Sequence, residues 1–105
     1  NIQGQQAQFS QDSAPPMKPS QTNVLVGQVL DPSGKIVEEA ILEVKDKMGI
    51  PVGGLKTNKA GHFMTVTPLA DGQYTLIVEK EGLTFEPVSI QLRNEIVEPL
   101  AIRAK

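Results

Sequence analysis

The chain has 105 residues, of which 39% are hydrophobic, 21% charged and 4% aromatic, a length that suits one domain. Ten Lys and Arg nearly balance twelve Asp and Glu for a net charge of −2, which excludes the clustered basic face that tracks nucleic-acid phosphates. No apolar run approaches the roughly 20 residues of a membrane-spanning helix, so neither nucleic-acid binding nor membrane insertion is expected.

With no cysteine and one histidine, disulfides, thiol chemistry and metal sites built on two imidazoles are excluded. The composition therefore argues against an enzyme, and no cofactor or metal is expected.

Residues 1–22 differ from everything that follows. Five glutamines between Gln3 and Gln11, then Gln21, are joined by Ser10, Ser13, Ser20, Pro15, Pro16 and Pro19, with Asp12 and Lys18 as the only charges. So little apolar surface does not repay the entropy of ordering. The stretch is expected to be a Gln/Pro/Ser-rich linker or extended arm leading into a β-sandwich domain over 23–105. Ile2, Ala7 and Phe9 are the exception within it. Their apolar side chains suit an extended strand that docks on another sandwich through main-chain hydrogen bonds.

From Val24 onward, short apolar runs alternate with turn residues. Val24–Leu30 reads as the first strand, closed by Asp31-Pro32-Ser33-Gly34. Ala40–Lys45 alternates with period two, and Asp46-Lys47-Met48-Gly49 turns it into Val52–Thr57. Asn58-Lys59-Ala60-Gly61 precedes a strand over His62–Thr67. Gln73–Glu79 carries Tyr74, Leu76 and Val78 on one face, and Val88–Arg93 and Ile96–Ile102 complete the set. Pro99 cannot donate to a ladder, so the last strand is expected at an edge or broken at Pro99. No window carries a helical apolar stripe. Seven short strands with this punctuation predict an all-β, antiparallel sandwich, with Val24, Val26, Leu42, Val44, Phe63, Leu69, Tyr74, Leu76, Val78 and Leu92 as its core.

Gly27, Asp31, Gly34, Ala40, Thr57, Gly61, Phe63, Leu69, Gly72, Tyr74, Leu76 and Gly82, within the runs GQVLDPSGKIVEEAILEV, KTNKAGHF and LADGQYTLIVEKEG, resemble the carboxypeptidase regulatory-like domain. That family is a prealbumin-like (transthyretin-like) Greek-key β-sandwich. The resemblance covers about Val24 to Phe85 and implies a module appended to exported or cell-surface prokaryotic proteins. It says little about activity, because a fold hosts many functions.

More active relatives of that architecture are tested residue by residue. Pilin-type domains that cross-link themselves need a lysine two residues before Asp31 and a glutamate four after Tyr74; here these positions are Val29 and Val78, so no internal isopeptide bond is expected. Transthyretin-like hydrolases need paired His and Arg and a Tyr-Arg-Gly-Ser-type ending, which the end at Ile102-Arg103-Ala104-Lys105 lacks. Carbohydrate-binding sandwiches stack sugars on exposed aromatic rings, and a chain without Trp whose single Tyr74 faces the core makes a glycan-binding accessory module the weaker alternative.

The remaining polar residues read as structure. His62 alternates with Phe63 and should face outward. Asp31, Asp46, Asn58 and Asp71 lie in turns, where short side chains cap backbone amides; as oxygen ligands for calcium they are too scattered. Glu38-Glu39 and Glu79-Lys80-Glu81 read as solvated loop charge. Lys45, Lys47, Lys56 and Lys59 read as lysines that keep strand edges from pairing between molecules. Val52-Gly53-Gly54-Leu55 is no phosphate loop, because no helix follows it. The functional expectation is a non-enzymatic spacer or protein-interaction module with a protein partner. The alternative is a self-assembling extracellular filament subunit whose residues Ile2, Ala7 and Phe9 donate a strand to a neighbour.

Overall fold

The computed structural model describes residues 2–3 and 8–105. Eight strands run in chain order: β1 (Ile2–Gln3), β2 (Val26–Leu30), β3 (Ile41–Asp46), β4 (Pro51–Lys56), β5 (His62–Met64), β6 (Gly72–Glu79), β7 (Val88–Leu92) and β8 (Leu100–Arg103). No helix occurs among the described residues. The seven strands from β2 onward overlap the seven read from the sequence, each trimmed or shifted by a few residues. β8 begins immediately after Pro99 and lies at a sheet edge.

A five-stranded sheet has the order β1-β7-β6-β3-β4, and a three-stranded sheet the order β5-β2-β8. The chain is therefore an all-β sandwich in two sheets, as expected. One pairing departs from the antiparallel expectation: β2 and β8 are parallel, with Gly27 opposite Leu100 and Leu30 opposite Arg103. Parallel neighbours need a long connection, and here it is almost the whole domain. No local turn signal announces such a pair.

Three of the turns share one design. Asp31, Asp46 and Asn58 each accept hydrogen bonds through a side-chain oxygen from backbone amides two and four residues on. Three residues after each stands a glycine with positive φ, Gly34 at 88°, Gly49 at 80° and Gly61 at 72°. The carboxylate or amide caps the turn, and glycine takes the left-handed position that a Cβ would disfavour. A pattern of Asp or Asn, two residues, then Gly thus serves as a repeated turn device, closing a hairpin between β3 and β4 and carrying the chain from one sheet to the other between β4 and β5.

The core lies between the sheets and contains Leu42, Val44, Phe63, Tyr74, Leu76, Val78, Ile90, Leu92, Leu100 and Ile102, joined by Leu25 and Val29. Seven of the ten residues expected there belong to it, and Leu69 packs against it half-buried. Val24 and Val26 are buried as expected, though outside this contiguous cluster. All five residues of β2 are buried, so the run VLVGQVL, apolar on both faces but for Gln28, gives no clean alternation from which to read its parity. Val29 and Val78, the two positions that a self-cross-linking domain fills with Lys and Glu, are buried valines.

Gly27 sets the spacing of the three-stranded sheet. A Cβ there would lie 2.4 Å from the Leu100 carbonyl oxygen and 2.5 Å from the Phe63 ring. Its absence lets the Phe63 ring cover β2 and lets β8 close on the other side.

Candidate functional site

Strand alternation turns Val26, Gln28 and Leu30 to the face of β2 away from Val29. Their cross-strand neighbours there are Met64 and His62 on β5 and Ala101 on β8. This is an outer surface, yet Val26, Gln28 and Ala101 are buried. The cover is the N-terminal stretch, of which residues 8–22 run against the sandwich without helix or strand.

Gln28 is the anchor. Its Oε1 accepts from the Ser10 amide at 3.0 Å, and its Nε2 donates to Ser13 Oγ at 2.8 Å and to the Ala60 carbonyl at 2.9 Å. With a relative exposure of 0%, an amide in this position is tolerable only when hydrogen-bonded, and among the described residues no buried side-chain polar atom lacks a partner. His62 adds a bond between its Nε2 and the Ala14 carbonyl at 3.0 Å. Ser10 and Pro16 are buried by the docking and Phe9 is half-buried.

Farther on, Lys18 pairs with Glu98 at 2.6 Å, and Thr22 Oγ1 donates to Asn94 Oδ1 at 2.8 Å. The entry into β2 is then locked by Asn23, buried and with a φ of 59°. Its Nδ2 donates to the Leu69 carbonyl and to Asp71 Oδ1, while its Oδ1 accepts from the Asn94 amide. One side chain thus ties the β5–β6 loop, the β7–β8 loop and the start of β2 together.

Of the residues expected to donate a strand, Ile2 lies in β1, which pairs antiparallel with β7 of the same chain, Ile2 opposite Ile90 and Gln3 opposite Ser89. Ala7 lies outside the described residues. Phe9 belongs to the docked arm. His62 faces outward as expected, with Phe63 in the core.

The turn residues do not converge. Asp31, Asp46 and Asn58 cap their own loops, Asp71 serves Asn23, and no cluster of three metal-ligating side chains occurs among the described residues. Bonds from the Ser33 hydroxyl and the Lys35 amide hold the exposed Asp31 carboxyl below its ordinary value of 3.8. The Tyr74 phenol is pushed above 10.0, first by burial and then by the charges of Asp46 and Asp71; its hydroxyl donates to the Ala70 carbonyl four residues back, at 2.7 Å.

Two features were not legible in the sequence. The first is an open groove whose lining combines the charged Glu39, Glu79, Lys80 and Glu81 with the apolar Ile41, Val78, Leu83 and Phe85. Glu39 and the Glu79–Glu81 run, far apart in the chain, meet because Ile41 pairs with Glu79. The second is the position of β4: the strand read over Val52–Thr57 lies at an exposed edge of the five-stranded sheet. Compared with protein-family models and with curated proteins, the chain matches none.

Proposed function

We propose that this chain is a non-enzymatic β-sandwich module of an exported or cell-surface prokaryotic protein, where it serves as a rigid spacer or protein-interaction domain. The observation that carries this reading is the docked arm. Bonds from Gln28, His62, Glu98 and Asn94 to residues 10–22 turn a composition suited to a free linker into a fixed approach. A module joined through such an arm holds its orientation to whatever precedes it. The resemblance to carboxypeptidase regulatory-like domains supplies the exported context.

The test is amide relaxation of the full chain together with its mass by light scattering. The expected result is a monomer in which residues 10–22 tumble with the sandwich, at order parameters near the roughly 0.85 of rigid backbone. Values below about 0.6 for that segment would sink the rigid-spacer reading.

The pairing of Ile2–Gln3 with β7 favours a second reading, a self-assembling subunit. The same antiparallel register made with β7 of a neighbouring copy joins molecules without new chemistry. That reading requires a mass that grows with concentration and returns to monomer in Ile2→Pro, because proline removes one ladder donor.

A further inference from the structure

The β7 edge of the five-stranded sheet is occupied by β1, whereas β4 at the opposite edge pairs only with β3 among the described residues. We propose that this free β4 edge is a docking site for an extended, acidic segment of a partner protein, which adds to the sheet as a further strand.

The backbone is presented for it. The Thr57 amide donates to the Ala40 carbonyl at 3.0 Å, and Leu55 and Gly53 stand opposite Leu42 and Val44 in the same register. Antiparallel alternation then directs the N–H and C=O of Gly54 and Lys56 away from β3, toward the open side. The register shift at Val44/Lys45 and the missing N–H of Pro51 limit the accessible row to Val52–Lys56. Every residue of β4 is exposed except the half-buried Leu55.

Neither close packing nor backbone conformation requires the two glycines of this row. A Cβ on Gly53 would meet nothing within 4 Å, one on Gly54 would sit at an ordinary 3.9 Å from the Leu42 carbonyl oxygen, and neither has positive φ. Gly27 is required by its neighbours; these are not. Glycine weakens a strand interior and marks places where another backbone comes close. Here it leaves the edge amides bare of side chains.

Charge selects the occupant. Over residues 43–59 Lys45, Lys47, Lys56 and Lys59 outnumber Glu43 and Asp46 by two in a chain of net charge −2; from outside that stretch Glu39 comes beside the end of the row, its amide donating to the Thr57 carbonyl, and Glu79 lies two strands in from the edge, opposite Ile41. Lys45 is paired with Glu43 at 3.5 Å, and the Asp46 carboxylate is engaged by the Met48 and Ile50 amides. Lys47, Lys56 and Lys59 form no ion pair among the described residues. These lysines oppose the pairing of two β4 edges from separate copies and attract carboxylates instead. The exposed Met48, Ile50 and Val52 add apolar contact at one end. The occupant is therefore a strand of mixed apolar and acidic residues, and the site is independent of the arm and of β7.

The test uses the full chain, isotopically labelled, titrated with a synthetic peptide of alternating valine and threonine bearing glutamates at both ends. Its counterpart with lysines replacing those glutamates is titrated in parallel. The acidic peptide is expected to shift the Gly54 and Lys56 amides and slow their exchange, and the lysine peptide to bind about tenfold more weakly, the effect of two or three exposed ion pairs. Lys56→Glu, at an exposed position, should weaken the acidic peptide by a similar factor without changing the melting temperature. Gly54→Pro should abolish the exchange protection. Equal affinity of the two peptides, shifts confined to other strands, or no binding of either would overturn the proposal.

Discussion

Replacing Gln28 by leucine roughly keeps the side-chain volume at the centre of β2 and removes three hydrogen bonds, to the Ser10 amide, Ser13 Oγ and the Ala60 carbonyl. Half-exposed Ser13 regains a water partner. The Ser10 amide belongs to a residue only 7% exposed, and the Ala60 carbonyl loses its Gln28 donor. Each group left buried and unpaired costs about 1–3 kcal/mol, and the added apolar surface offsets part of this, for a net loss of about 2–3 kcal/mol. With an m-value of about 1–2 kcal/mol/M for a small domain, the urea midpoint falls by about 1–3 M. The arm should loosen first. Exchange of the Ser10 amide is expected to rise toward that of an unfolded segment, while Val44 and Leu76 in the core stay protected. A midpoint displaced by less than about 0.3 M, with the Ser10 amide still slow, would refute the assignment of Gln28 as the anchor.

Two further outcomes follow from the packing and the charges. Gly27→Ala drives a methyl into the Leu100 carbonyl and the Phe63 ring, which should cost about 3 kcal/mol and lower Tm by at least 10 °C or so; the added change Phe63→Leu should restore part of it, and an unchanged Tm in thermal denaturation would contradict the close approach. Tyr74, the only tyrosine, has its pKa raised in the fold by burial and by Asp46 and Asp71. The stability this represents is therefore present below pH 10 and lost as pH rises through the folded value. Ultraviolet titration checks this, since the folded chain should ionise at higher pH than the chain in urea.

The strands were legible because their signals are local. Alternation of Leu42 and Val44 with Glu43 and Lys45, and of Tyr74, Leu76 and Val78 with Gln73, Thr75 and Glu79, puts a polar residue on every second position but that of Ile77. Where that contrast fails, so does the reading. In β2 both faces are buried, so alternation does not separate Val24 and Val26, buried outside the contiguous cluster, from Leu25 and Val29 within it. What holds the arm leaves no local trace for a related reason: its composition predicts little burial, and its bonds come from polar groups of Gln28 and His62 supplied by distant strands. Asn23 carried no sequence signal, since its role depends on loops 46 and 71 residues away.

By itself the sequence determined the all-β class, the approximate place of seven strands and the turns between them, because a pleat of period two and an Asp or Asn followed three residues later by Gly act within a few residues of backbone. Only the tertiary structure decided which strands are neighbours, that β2 and β8 run parallel, that Gln28 holds the arm, and that β4 rather than β7 is left with an open edge. Those are properties of pairings between residues far apart in the chain. Their energies depend on what each strand meets once the sheets have closed, which no short stretch of sequence encodes.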